Sequence, residues 1–130
     1  MRLVLDASAA VNALVPGHLH DATMRRLEDG ELLAPDLIDI EVISALARLE
    51  RGDAITTAEA DRAVTAWQRL PCTRVSVEAL LPEIWALRRS IRISDAHYVV
   101  LAGVLSAPLL TADQRVARAG LPGLSVLTIS

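Results

Sequence analysis

Apolar residues alternate along the chain between short unbroken runs and longer stretches that repeat at three- to four-residue spacing. The short runs read as strands at Arg2 to Leu5, Leu32 to Ala34, Thr73 to Val77, Pro108 to Thr111 and Ser125 to Ile129. In the third of these, Thr73, Val75 and Val77 are β-branched at alternate positions. The longer stretches predict helices over Ser8 to Leu14, ended by Pro16-Gly17, and His20 to Asp29, closed by Gly30. Further helices run from Pro35-Asp36 to Arg51, from Thr56 or Thr57 to about Leu70, and from about Leu80 to Arg89 with Pro82 in the first turn. The last two are Ser94 to Leu105 and Thr111 to Ala119. Asp36, Ser94 and Thr111 are the expected caps, with Asp39 and Gln114 each three residues further on as partners. Strands separated by helical segments predict parallel pairing through right-handed crossovers, hence an α/β fold: a three-layer α/β/α sandwich around a parallel sheet of about 4–5 strands. No repeat, low-complexity tract or long linker divides residues 1–130, which read as one domain.

Four acidic residues fit that pattern poorly as core. Asp6 and Asp113 lie just beyond the first and fourth strands, Asp95 opens the apolar helix containing Tyr98 to Leu105, and Glu41 interrupts an otherwise apolar helix. In an open parallel sheet, ligands bind outside the carboxyl ends of the strands, where Asp6 and Asp113 fall. An acid in a first helical turn also complements the helix dipole by about 0.3–1 kcal/mol, which alone accounts for Asp95 and Asp113 taken singly. Glu41 is different. Its neighbours one turn away are Leu37, Ile38, Ser44 and Ala45, and no arginine stands at i+3 or i+4. An unpaired carboxylate on an apolar face is costly, so a shared pocket accounts for it better.

Carboxylates gathered in such a pocket repel by on the order of 4 kcal/mol per pair at about 4 Å and an effective dielectric of about 20. A divalent cation offsets that cost. Oxygen donors without cysteine or a necessary histidine favour Mg²⁺ or Mn²⁺ over zinc. An ion so held can bind a phosphate oxygen, generate hydroxide for in-line attack and stabilise the leaving oxygen, with no protein nucleophile required. The expectation is metal-dependent phosphodiester chemistry, with Asp6, Glu41, Asp95 and Asp113 as catalytic and metal-binding residues.

Composition narrows the partners. A net charge of −3 and pI near 5.5 argue against a protein that coats nucleic acid. All 13 basic side chains are arginine. A phosphoacceptor receiver domain needs a late lysine, and a haloacid-dehalogenase phosphatase needs aspartate where Ser8 stands, so both are excluded. A non-catalytic interaction module suits the size but leaves Glu41 unexplained. Cys72 is the sole cysteine, which excludes an internal disulfide framework and makes a reducing cytoplasm the default. Asp6 breaks the N-terminal apolar run before a signal peptide's core forms, and Tyr98 to Leu105 falls far short of the roughly 20 residues of a membrane span. With 52% hydrophobic residues, the chain is read as a buried sheet with alanine-rich helices, one apolar face of which a second chain can cover.

Other candidates read as structural. His18 and His20 lack a third zinc ligand at suitable spacing, and His97 points away from Asp95. Arg88, Arg89, Arg92, Arg115 and Arg118 are ordinary charges singly and a phosphate track as a set. Trp67, Trp85 and Tyr98 read as packing, and the aromatics are too few for a base-stacking platform.

Four segments together carry a family resemblance: Leu3-Val4-Leu5-Asp6-Ala7-Ser8-Ala9-Ala10, Ala34-Pro35-Asp36-Leu37 through Glu41-Val42, Ser94-Asp95-Ala96-His97-Tyr98-Val99-Val100-Leu101-Ala102, and Leu109-Leu110-Thr111-Ala112-Asp113. In order and spacing the chain resembles PIN-domain ribonucleases, and closely the VapC-type toxins of toxin–antitoxin pairs. Ser94 departs from the aromatic residue usual before the third acid. The resemblance implies a small α/β/α domain, usually a homodimer, that cleaves RNA with Mg²⁺ or Mn²⁺. It also implies a cognate antitoxin lying across the active site with an arginine in the acidic pocket; a PIN-fold nuclease outside a toxin–antitoxin pair is the alternative. By the same resemblance Asp6 and Asp95 are metal ligands, and Asp113 supports the same ion directly or through water. Glu41 binds a second ion or positions the attacking water. Ser8 and Thr111 orient the carboxylates and cap helices, and Asn12, one turn beyond Ser8, joins that supporting shell.

Overall fold

A run that is apolar at every position can be buried on both faces, and this decides the middle of the sheet. In the computed structural model, which describes residues 1–28 and 30–130, β1 (Arg2–Leu5), β2 (Glu31–Pro35) and β4 (Leu109–Thr111) are buried beyond their first residues. The flanking strands β3 (Cys72–Val75) and β5 (Val126–Thr128) are partly exposed. All pair in parallel in the order β3-β2-β1-β4-β5. Val4 stands opposite both Leu33 and Leu109, and Leu110 opposite both Leu5 and Leu127.

Helices α1 (Ala7–Leu14) and α2 (His20–Leu27) connect β1 to β2, and α3 (Ile38–Arg51) and α4 (Thr57–Arg69) connect β2 to β3. A 3₁₀ turn (Glu78–Leu80), α5 (Leu81–Ala86) and α6 (Ile93–Leu105) return the chain to β4, and α7 (Gln114–Arg118) leads to β5. The chain thus moves outward from β1 to β3, then crosses back to the other side of β1. Right-handed crossovers, nearly universal for parallel strands, put α6 on the face opposite α1, α3 and α4. In keeping with this, α1, α3 and α4 pack on one another, while α6 packs on β1, β2 and β4. The expected three-layer sandwich is the architecture observed. Its strand order reverses between β1 and β4, and a crevice opens at their carboxyl ends.

Periodicity explains the layers. On α3, Ile38, Val42 and Leu46 recur every four residues and are buried in the core, each contributing about 1.5–3 kcal/mol. The helix starts differ from expectation. Pro35 belongs to β2, opposite Val75, so α3 begins at Ile38 and Asp36 lies in the preceding turn rather than capping. Asp39 instead accepts from Trp67 Nε1 (2.7 Å) and from Arg74 Nη2 (2.7 Å) and Nε (3.0 Å), tying α3 to α4 and β3. Ser94 falls inside the first turn of α6, where Arg92 holds the cap position. Thr111 ends β4, and Asp113 caps α7 by accepting from the Arg115 backbone N–H at 2.9 Å. Thr56 caps α4 in a reciprocal box with Glu59, as its position predicts. Asp29, the last residue of the expected second helix, lies outside the described residues.

The helix expected from Leu80 to Arg89 is shorter, and Trp85 on it does not pack inward. It is 61% exposed, with the Arg88 guanidinium 4.4 Å above its ring. Trp67 is buried, as expected. Among the described residues no helix is long and apolar enough to cross a membrane.

Candidate active site

Because β1 ends at Leu5, Asp6 is the first residue to leave the sheet at the reversal point, in extended conformation (φ −82°, ψ 149°). An aspartate there ordinarily caps its own helix with its side chain. Asp6 makes no such bond. Its Oδ2 accepts from Ser8 Oγ at 2.9 Å and from Thr111 Oγ1 at 2.5 Å. The two hydroxyls are themselves oriented: Ser8 Oγ accepts from the Ala112 N–H at 3.0 Å and Thr111 Oγ1 from the Asp113 N–H at 2.9 Å. A hydroxyl has one proton to give, so backbone amides just past β4 direct both protons at one oxygen of Asp6.

Burial pushes the Asp6 carboxyl above the ordinary aspartate value; the Thr111 and Ser8 bonds oppose this, while the charges of Asp95 and Glu41 add to it. Three acids therefore act on one another across the crevice. Glu41, however, is not unpaired as expected from its sequence neighbours. The Tyr98 hydroxyl donates to its Oε1 at 2.6 Å, joining the helical layers on opposite faces of the sheet. Tyr98 is 2% exposed, so it packs as expected and also carries a polar role that the sequence did not suggest. Its hydroxyl is held well above the ordinary tyrosine value, by burial first, then by the bond to Glu41 and the charges of Glu41 and Asp6, against the Ala7 backbone amide. It stays protonated and remains a donor.

Asp95 sits in the first turn of α6, where Arg92 Nε reaches its Oδ2 at 3.1 Å. Asp113 receives Arg115 Nη2 at 2.7 Å on Oδ2 and Arg115 Nε at 3.1 and 3.2 Å on its two oxygens. Arg92 Nη2 approaches the same carboxylate at 3.7 Å. The Arg115 side-chain bond foremost, helped by its backbone N–H and by both guanidinium charges, holds the Asp113 carboxyl below the ordinary value against burial. Asn12 reaches the site only through Ser8, by donating to its carbonyl oxygen at 2.9 Å. His97 turns its ring nitrogen to the Ile93 carbonyl.

Asp6, Glu41, Asp95 and Asp113 line one cleft of about 560 Å³ together with Ser8, Arg48, Arg92 and Arg115. An adjoining cleft of about 400 Å³ shares Arg92, Asp95 and Arg115 and adds Arg118. The acids converge, but less tightly than expected: among the described residues no three His, Cys, Asp or Glu side chains are close enough to hold an ion jointly. The reason is visible in the bonds. Tyr98 holds Glu41, Arg92 holds Asp95, and Arg115 holds Asp113.

The donors suit a hard cation, since the cleft presents carboxylate oxygens and neither cysteine nor histidine. Asp6 Oδ1 and Glu41 Oε2 take no protein hydrogen bond among the described residues. Among those residues no enclosed side-chain polar atom lacks a partner, so both oxygens reach solvent, and both residues line the cleft. Three features were missed from sequence. Arg92 at i−3 from Asp95 and Arg115 at i+2 from Asp113 were legible as local pairs, and Tyr98 had only its place one turn after Asp95 as a signal.

A PIN-domain family model matches residues 3–121. Ribonuclease VapC9 of Mycobacterium tuberculosis (strain ATCC 25618 / H37Rv) is 41% identical over 119 residues, 91% of each chain. The fold is shared with VapBC2 from Rickettsia felis bound to a DNA fragment from their promoter, with TM-score 0.71 and 14% identity over the full length of both chains. A toxin–antitoxin complex from Klebsiella pneumoniae matches with TM-score 0.68 and 17% identity, covering 97% of this chain and 96% of that one.

Proposed function

The chain belongs to the PIN-domain family, and from that membership we propose that it is an endoribonuclease toxin of a toxin–antitoxin pair that hydrolyses RNA phosphodiester bonds with Mg²⁺ or Mn²⁺. The observation that carries the chemistry is Asp6: a carboxylate clamped on one oxygen by Ser8 and Thr111, its other oxygen open to a cleft lined by three more acids. Identity to a named ribonuclease over nine-tenths of the length supports RNA as the substrate.

In this reading Asp6 and Asp95 would hold the ion, Asp113 would support it directly or through water, and Glu41 would serve a second ion or the attacking water. When bound, Mg²⁺ or Mn²⁺ neutralises the carboxylates, polarises the scissile phosphate and lowers the pKa of water. Ser8 and Thr111 keep Asp6 aimed, and the deprotonated carboxylates stand ready to receive the proton of an attacking water. Arg92 and Arg115 at the rim offer guanidinium forks that suit an RNA phosphate.

The same acidic cleft suits an arginine from a cognate antitoxin, a partner supported by likeness to a toxin–antitoxin complex. Leu81 and Trp85, one turn apart on α5, leave large apolar side chains in water, which supports a homodimer; a monomeric mass at micromolar concentration without antitoxin argues against it. The test of the activity is incubation with RNA in Mn²⁺ and in EDTA. Cleavage in Mn²⁺ that EDTA stops is the expected result, and inertness on every RNA in either condition favours a binding module instead.

A further inference from the structure

We propose that Tyr98 is a positioning residue for the nuclease reaction, its hydroxyl holding Glu41 so that the second carboxylate oxygen faces the cleft; this rests on the nuclease reading above. The bond is short, 2.6 Å from the hydroxyl to Oε1. Among the described residues, no other group hydrogen-bonds the Glu41 side chain. A glutamate on a helix has three rotatable bonds and, unheld, would sample many positions in an open cleft. Tyr98 has two, and its ring is locked in the core. The aim of the hydroxyl is therefore set by packing, and Glu41 inherits that precision.

Placement on α6 gives the contact a second consequence. Tyr98 lies one turn after Asp95 on the same helix, so α6 carries one acid directly and fixes another, on α3, through the hydroxyl. Their separation becomes a property of one rigid element. Groups that serve one reaction centre need relative placement within about 0.5 Å, which side chains on independent helices reach only when a supporting bond locks them. Packing alone does not call for the hydroxyl, since phenylalanine would fill nearly the same volume. The bond also leaves Oε2, an atom that is not enclosed on a residue lining the cleft, free of protein partners among the described residues.

The experiment is a double-mutant cycle with Y98F, E41Q and the pair, read by calorimetric Mn²⁺ titration and by RNA cleavage kinetics. Y98F should weaken Mn²⁺ binding and lower kcat, each by roughly 10–100-fold, as loss of a supporting hydrogen bond does. The KM for RNA should stay near wild type. In the E41Q background Y98F should change neither quantity further, because the hydroxyl acts through Glu41. Additive effects overturn the proposal, as does a Y98F protein that matches wild type.

Tyr98 is the single tyrosine of the chain, so 3-fluorotyrosine labelling places one fluorine, at this contact. Mg²⁺ should shift that resonance in the wild type, and E41Q should lose most of the shift. An unmoved resonance in protein that binds Mg²⁺ overturns the proposal even if Y98F folds poorly. A wild type that neither binds Mn²⁺ nor cuts RNA overturns the nuclease reading and the proposal with it. A competent wild type matched by Y98F overturns the proposal alone.

Discussion

Arg115 closes on Asp113 with its Nη2 2.7 Å from Oδ2 and its Nε 3.1 Å from Oδ1, a forked pair at the rim of the acidic cleft. The guanidinium stands where a cation's charge is needed, so arginine and metal compete for one carboxylate. The Arg115 side chain is 63% exposed. An exposed pair of this kind is weak, so R115A should bind Mn²⁺ only a few-fold more tightly than wild type by calorimetry. The gain should shrink in high salt, which already screens the exposed pair. Equal or weaker binding by R115A would show that the two do not compete.

Asp6→Asn and Asp95→Asn should each abolish RNA cleavage and toxicity while leaving the circular dichroism spectrum unchanged. Asp6 is buried beside two other negative charges, so its neutral isostere should also stabilise the metal-free protein. The expected result is a rise of a few degrees in the metal-free melting temperature, as a modest stabilisation gives for a chain of this length. A clear fall in the metal-free midpoint of Asp6→Asn would contradict the crowded cleft.

The Asp6 shift also sets a pH dependence. Burial raises its folded value above the ordinary 3.8, so between those two values the native state binds more protons than the unfolded one. Its contribution to metal-free stability therefore declines as pH rises through that window, and the penalty is complete above it. Denaturant midpoints of Asp6→Asn and wild type should differ most near neutrality and converge below the ordinary value. Mn²⁺ affinity should run the other way, falling on acidification from above the ordinary carboxylate range, because the ligand must be ionised. Asp113, held below 3.8 chiefly by Arg115, has the opposite sign: its stabilisation is present above that value and disappears as pH falls through the lowered one.

Asp39 supplies the control away from the chemistry. It accepts from Trp67 Nε1 and from Arg74, whose bond chiefly holds its carboxyl below the ordinary value. D39A strands the indole N–H of a buried ring. Half of the Asp39 side chain is exposed, which discounts the ion pair, so the loss should be about 1–2 kcal/mol, mostly from the indole. Thermal melting should report that loss, with Mn²⁺ affinity unchanged. A change in metal binding would mean that this network reaches the cleft.

Strands and helices were legible because apolar periodicity is local, and the position of the acids just past strand-like runs points by itself to the carboxyl edge of the sheet. Capping was misread at Asp36, Ser94 and Thr111 because each has a stronger tertiary use or position. Pro35 extends β2 beside Val75, Arg92 takes the cap position of α6, and Thr111 turns its hydroxyl to Asp6. Trp85 looked like core since exposure depends on what the rest of the chain brings over a helix; it stays 61% exposed with the Arg88 guanidinium over its ring.

Local pattern was thus enough for the element order, the parallel α/β/α architecture and the expectation that the four acids share one cleft. It was not enough for how those acids are held. Thr111 reaches Asp6 across 105 positions and Tyr98 reaches Glu41 across 57, and no periodicity links such pairs. They meet only because the strand order reverses at β1 and folds two helical layers over one edge of the sheet, where the direction of a single hydroxyl is set by packing around it.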